Sequence, residues 1–189
     1  MKIGYHHGDL RATLIQIGLQ LLAERKADDL SLREIAREAG VSPTSVYRHF
    51  PDKMSLMAAL ADAGLAMLAK TQHLAFKEAG GGMKGFCASG QAYVRFALAN
   101  PALFRLIFTS PMPPDLMQRD AGLDPEALAF LKSNVATNAP AGASAEMVRV
   151  ATVKAWAMVH GLAMLMLDEQ IPQEDHLIEA MFNEAAMKN

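Results

Sequence analysis

Sulfur linkage, strand patterning and catalytic signatures are scarce in this chain of 189 residues. A single cysteine, Cys87, excludes an intrachain disulfide and suits a reducing compartment; mid-helix among apolar neighbours, it reads as an inert core thiol. Aromatics make up 6% of the residues, and alternating β-branched runs are nearly missing, which argues against a sheet protein. No Cys/His cluster has metal-ligand spacing, and no Gly-x-Ser-x-Gly elbow, phosphate loop or dinucleotide fingerprint appears. Gly80-Gly81-Gly82 lacks the Lys and the preceding strand of a phosphate loop and reads as a turn or hinge. His6 and His7 are adjacent, so on a helix they point apart, and they read as a solvated arm. No catalytic residue, metal or cofactor is therefore expected, and the chain reads as a non-enzyme.

Charge of one sign is also lacking. The net charge is −2, which excludes a protein that binds nucleic acid over its whole surface. Residues 1–53 carry eight Lys/Arg against seven Asp/Glu, and the remainder ten against thirteen. Any cationic patch must be local. The first 20 residues include Asp9 and show no charged region followed by an apolar core, so no secretory leader is expected. The longest uncharged apolar run, Ala155 to Leu167, is 13 residues and contains His160, whereas a bilayer span needs about 20. A cytoplasmic protein with no membrane partner is the expectation.

What remains is abundant helix formers, and 51% hydrophobic residues to bury between helices. An all-α fold of about nine helices follows. Asp9 caps a first helix to about Arg25, striped by Leu14, Ile17, Leu21 and Leu22. Asp52 caps a long fourth helix, 53–79, which the glycines end. Further helices are expected from Met83 to Ala99, Pro101 to Phe108, Asp124-Pro125 to Val135, Ser144 to Leu167, and Pro172 to about Met187. The Pro-rich stretch 111–114 and the segment 138–144 read as connections.

The densest signal is Ser31 to Phe50. Ser31 and Glu34 have capping-box spacing, Ile35, Ala36 and Ala39 form one apolar stripe, and Gly40 stands where a left-handed residue stops a helix. Ser42 caps a second helix with Pro43 at its first position. Val46 and Phe50 point inward, which leaves Thr44, Ser45, Tyr47, Arg48 and His49 outside, all able to donate to a phosphate or a base edge. Two short helices about a Gly-containing turn form a helix-turn-helix.

With Leu32-Arg33-Glu34-Ile35-Ala36, Ala39-Gly40-Val41-Ser42 and Val46-Tyr47-Arg48-His49-Phe50-Pro51-Asp52-Lys53 in view, the segment resembles the N-terminal domain of the tetracycline-repressor (TetR) family. Tyr47, His49, Phe50 and Lys53 match that family's Tyr-x-His-Phe motif and the Lys three residues on. Thr44 departs from it, since the family often has Gly there. Weaker matches are the opening Tyr5 to Arg11, Pro101 to Leu106, and a Trp…His-Gly signature at Trp156 to Gly161. The resemblance implies a DNA-binding, ligand-responsive transcriptional regulator, usually a repressor. It implies that Arg33, Pro43, Thr44, Ser45 and Arg48 approach base edges, that Ser31, Tyr47, His49 and Lys53 hold phosphates, and that Ser42 belongs to the same DNA-binding set. Residues 1–53 would be the DNA-binding domain and 54–189 an effector-binding and dimerisation domain.

The helix from Ser144 is apolar on more than one face, which suggests a subunit interface made with the terminal helix. Val159, Leu162, Met166, Leu177, Ile178 and Met181 are its candidates, in a homodimer that reads a twofold operator in double-stranded DNA. Phe86, Tyr93, Phe96, Phe104, Phe108, Trp156, His160 and Met164, with Met117, are candidates to line a cavity. The few polar groups among them favour an apolar or amphipathic effector. A DNA-binding regulator without any effector is the alternative.

Overall fold

Side-chain caps start and stop the helices. A computed structural model describes residues 9–109 and 125–183. The Asp9 carboxylate accepts from Ala12 N–H (3.0 Å) and opens α1, Leu10–Leu22. A 3-10 turn, Ala27–Asp29, leads to α2, Leu32–Ala39, where Ser31 Oγ accepts from Glu34 N–H (3.1 Å). Gly40 ends α2 at φ 68°, a left-handed backbone natural to glycine, and Val41 N–H reaches back to Ala36 O (3.0 Å). Ser42 Oγ accepts from Ser45 N–H and opens α3, Pro43–Tyr47. Asp52 Oδ1 accepts from Ser55 N–H (2.7 Å) at the start of α4, Lys53–Glu78.

Three successive positive φ values at Gly80, Gly81 and Gly82 turn the chain between α4 and α5, Gly82–Ala99. Then come α6, Pro101–Thr109, α7, Glu126–Asn138, and α8, Ala145–Leu167, capped by Ser144 Oγ on Met147 N–H. The last is α9, Asp175–Met181. Among the described residues there are nine α-helices and no strand. The opening from Tyr5, with His6 and His7, the Pro-rich stretch, Met117 and Asp124 lie outside the described residues.

Several boundaries differ from the sequence expectation for identifiable reasons. Helix α1 stops at Leu22, which leaves Arg25 to pair with Glu34. The capping box closes on one side only: Ser31 Oγ accepts from Glu34 N–H, while the Glu34 carboxylate pairs with Arg25. Helix α3 stops at Tyr47, since the N–H groups of both His49 and Phe50 converge on Val46 O (2.9 Å each) and tighten the last turn. Helix α9 begins at Asp175 rather than Pro172, and the chain leaves it at Phe182. That exit seats the buried Phe182 ring against Gly90 and offers Phe182 O to Gln91 Nε2 (3.3 Å).

The chain divides into two compact units: Met1–Gly64 with Asn100–Pro111, and Leu65–Ala99 with Met112–Asn189. In the first, Leu14, Ile35, Val46, Phe50, Leu56, Leu60 and Phe104 are essentially inaccessible. Helix α4 approaches closely: a Cβ on Gly18 would stand 2.8 Å from Leu60 Cδ2, and one on Gly64 2.7 Å from Leu103 Cδ1. In the second, α8 packs on α5 and α7, and α9 lies on α5. Arg95 of α5 clamps α9 through Asp175 (2.8 Å) and Glu179 (3.3 Å). Helices α4 and α8 reach the length and mean hydropathy of a membrane span. Both carry charges along their length, Asp62 and Lys70 in α4 and Arg149 and Lys154 in α8.

Candidate DNA interface and effector domain

The head exposes most of the residues expected to meet DNA. Arg33, Ser42, Pro43, Thr44, Tyr47, Arg48 and His49 are exposed, Ser31 is exposed at its cap, and Ser45 is half-buried with its hydroxyl 2.9 Å from that of Ser42. Val46 and Phe50 anchor this surface from beneath. The arginines separate by partner. Arg25 and Arg37 both reach Glu34, and Arg37 also reaches Glu38, so their charge is answered within the head. Arg33 and Arg48 have no ion-pair partner among the described residues. Both are exposed, Arg33 on α2 and Arg48 just after α3.

Lys53 is placed differently from a free phosphate ligand. Its Nζ donates to Asp28 O (2.6 Å) and ties the start of α4 to the 3-10 turn. An ammonium has three donors, so two remain. Arg11 was read only as part of a weak N-terminal match, yet its guanidinium lies 5.3 Å above the Phe50 ring. That contact braces the ring that closes the recognition segment. No periodicity announces it, because Arg11 lies on α1 and Phe50 in the segment after α3.

In the second unit the Trp…His-Gly signature acquires a structural meaning. Trp156 and His160 lie four apart on α8 and both engage Tyr93 of α5. Indole N–H is only a donor, so Trp156 donates to Tyr93 Oη, which lies 3.0 Å from His160 Nδ1. Donation from Tyr93 to that nitrogen requires a neutral His160 with its proton on Nε2. Burial lowers the His160 pKa, which favours that form. Burial also pushes the Tyr93 phenol well above its ordinary value, with the Trp156 hydrogen bond opposing. Tyr93 stays a neutral donor.

The other cavity candidates are scattered. Phe104 and Phe108 meet at a tilt of 59° with centroids 4.9 Å apart in the unit that contains the head, and Phe104 is fully buried. Phe96 is buried in α5, and Met164 is half-buried on α8. Phe86 lines a cleft of about 400 Å³ within the second unit. Its other walls, including Met83, Val135, Met147, Val148 and Met158, were not singled out in the sequence. The signal that could have found them is Met147, Ala151, Lys154 and Met158 at helical spacing on one face of α8.

The six interface candidates also divide. Leu162, Met166 and Ile178 are buried inside the protomer and have no surface left for a partner, while Val159, Leu177 and Met181 are half-buried. The apolar side chains that α8 leaves exposed are Met147, Val150, Val153 and Leu165. A Cβ on Gly161 would meet nothing within 4 Å.

Comparison with known proteins agrees with this architecture. Residues 14–60 match the family described as bacterial regulatory proteins, tetR family, and residues 86–187 match the tetracyclin repressor-like C-terminal domain. A protein of unknown function from Rhodococcus sp. RHA1 superposes with a TM-score of 0.75 at 29% identity, covering 97% of this chain and 96% of that one. A TetR family transcription regulator from Marinobacter aquaeolei VT8 shares the fold with a TM-score of 0.65 at 21% identity over 93% and 94% of the two chains. A TetR variant from Acinetobacter baumannii AYE, solved in complex with minocycline, gives 0.59 at 21% identity over 94% and 92%. With the C-terminal model alone spanning more than half of the chain, this protein belongs to the tetracycline-repressor family and is a DNA-binding transcription regulator.

Proposed function

We propose that the protein is a cytoplasmic homodimeric repressor that leaves a palindromic operator when a small apolar or amphipathic ligand occupies its second unit. The observation that carries the DNA half of this reading is the division of the arginines: among the described residues Arg33 and Arg48 have no ion-pair partner, whereas Arg25 and Arg37 pair with carboxylates of the head. Arg48 with Thr44 and Ser45 then reads base edges, and Ser31, Tyr47, His49 and the spare donors of Lys53 hold phosphates. One helix-turn-helix reads one half-site, so two copies are needed for a twofold operator.

For the dimer, the exposed Val150, Val153 and Leu165 offer α8 surface, with Gly161 open between them for close helix approach. For release, the ligand has to favour the state that does not bind DNA. A hundredfold loss of operator affinity needs about 2.7 kcal/mol of difference. A relative solved with minocycline supports a ligand-taking domain in this fold.

Selection of bound duplexes from a random pool tests the reading, and a palindrome is expected. On that operator, Arg48→Ala should lose about 1–3 kcal/mol and relax one base position, while Tyr47→Phe should weaken all sequences alike. Equal loss of every sequence in both variants would move Arg48 to the phosphates. The pair Val150→Asp with Leu165→Asp should give folded monomers in sedimentation, because both positions are exposed; an intact dimer would place the interface elsewhere.

A further inference from the structure

We propose that the cleft between α5, α7 and α8 binds an amphipathic anion, a medium-chain carboxylate, with its chain along the apolar wall and its headgroup at Lys154; as an effector site it rests on the ligand-release reading above. The cleft's volume of about 400 Å³ falls in the range of small-molecule sites, roughly 300–1,000 Å³. Met83, Phe86, Met147 and Met158 give it a soft, adaptable wall suited to a flexible chain rather than to a rigid polar ring.

Polarity in the cleft is one-sided. Among the described residues, Lys154 is the one charged residue that lines it, and no carboxylate does. Lys154 has no ion-pair partner among the described residues. Asn138, also on the wall, commits one Nδ2 hydrogen to Asn134 O (2.8 Å) and keeps a second amide donor beside its carbonyl acceptor. An amine headgroup would meet Lys154 with like charge, and an alcohol would leave that ammonium unanswered. A carboxylate answers it with a charge-assisted hydrogen bond. Lys154 is exposed, so the pair sits at the rim, where both ions keep part of their water and the chain alone is buried.

The cleft also borders the element that touches α4. Its wall residue Val135 belongs to α7. Five residues earlier, Phe130 of α7 takes edge-on contacts from His73 (4.3 Å) and Phe76 (5.4 Å) of α4, and His73 Nδ1 lies 3.2 Å from Glu126. A chain seated against Val135 therefore acts on the helix that braces the C-terminal half of α4.

The test titrates dodecanoate, dodecanol and dodecylamine into the full-length protein below their micelle concentrations. Trp156, the only tryptophan, reports optically and calorimetry confirms. Dodecanoate is expected to bind at least about tenfold more tightly than the other two. Lys154→Met should erase that preference, and Ala151→Phe, which fills the cleft from an exposed position, should abolish binding. Equal affinity for alcohol and carboxylate, a preference that survives Lys154→Met, or unchanged binding to Ala151→Phe would each overturn the assignment. Adding dodecanoate to the operator complex separates the two readings. Saturation of the cleft without DNA release would overturn its role as effector site, whereas release by another compound with no dodecanoate binding would overturn the cleft proposal and keep regulation.

Discussion

The two units are built on different length scales. In the head the decisive contacts are local: Ser31 caps Glu34, Ser42 caps Ser45 and Asp52 caps Ser55, each three residues apart. In the second unit they are remote: Tyr93 meets His160 across 67 residues, Arg95 meets Asp175 across 80, and Gln91 meets Phe182 across 91. The head presents a polar surface to a ligand of constant shape, the duplex, so a short rigid motif suffices. The second unit encloses space, and walls can be made by any helices that topology brings together.

The largest effect that tests this contrast is Phe182→Ala. Phe182 is 2% exposed and packs where Gly90 makes room, so its truncation should cost about 3–5 kcal/mol in chemical denaturation. Ser31→Ala removes only one cap and should cost about 1 kcal/mol. A larger loss from the cap than from the ring would reverse the comparison.

Legibility in the sequence follows the same division. Caps, the left-handed Gly40, the inward Val46 and Phe50 and the exposed recognition residues could all be read because each rule acts within one turn. The pairing of Glu34 with Arg25 could not, and it changed both the capping box and the set of free arginines. The aromatic roll of the second half was legible as residue types but not as neighbours. Tyr93, Trp156 and His160 do meet, yet Phe104 and Phe108 went to the other unit. The interface candidates Leu162, Met166 and Ile178 are buried within the chain itself, because a helix apolar all round does not say which face its own domain takes.

A smaller effect sharpens the view of the second unit's interior. Among its buried polar residues, Ser89 and Thr152 return their hydroxyls to helix carbonyls, Phe86 O (2.7 Å) and Val148 O (2.8 Å). Gln72 of α4 is 7% exposed and finds no hydrogen-bond partner among the described residues. A buried amide without a partner is a cost, so Gln72→Met, close in volume, should raise the unfolding free energy by about 1 kcal/mol. A loss of similar size would mean that the amide has a polar partner in solution.

The smallest effect is a pH dependence confined to the second unit. His160 accepts from Tyr93 only while Nδ1 is unprotonated, and burial holds its folded pKa below the ordinary value of 6.5. The unfolded chain then binds the proton more readily. Stability from this residue is complete above about pH 6.5 and is lost as pH falls through that value toward the depressed folded one. Asp175, held low by its hydrogen bond to Arg95, acts in a separate window, below its ordinary 3.8. Melting curves at about pH 7.5 and about pH 5.5 should therefore show an acid-induced drop in the wild type that is reduced in His160→Gln, which has no titrating ring. Tyr93→Phe should keep part of the drop, since burial remains when the hydrogen bond is removed. If His160→Gln lost as much stability as the wild type between those two values, the acid sensitivity would belong to another group, and the Tyr93–His160 contact would be a packing contact only.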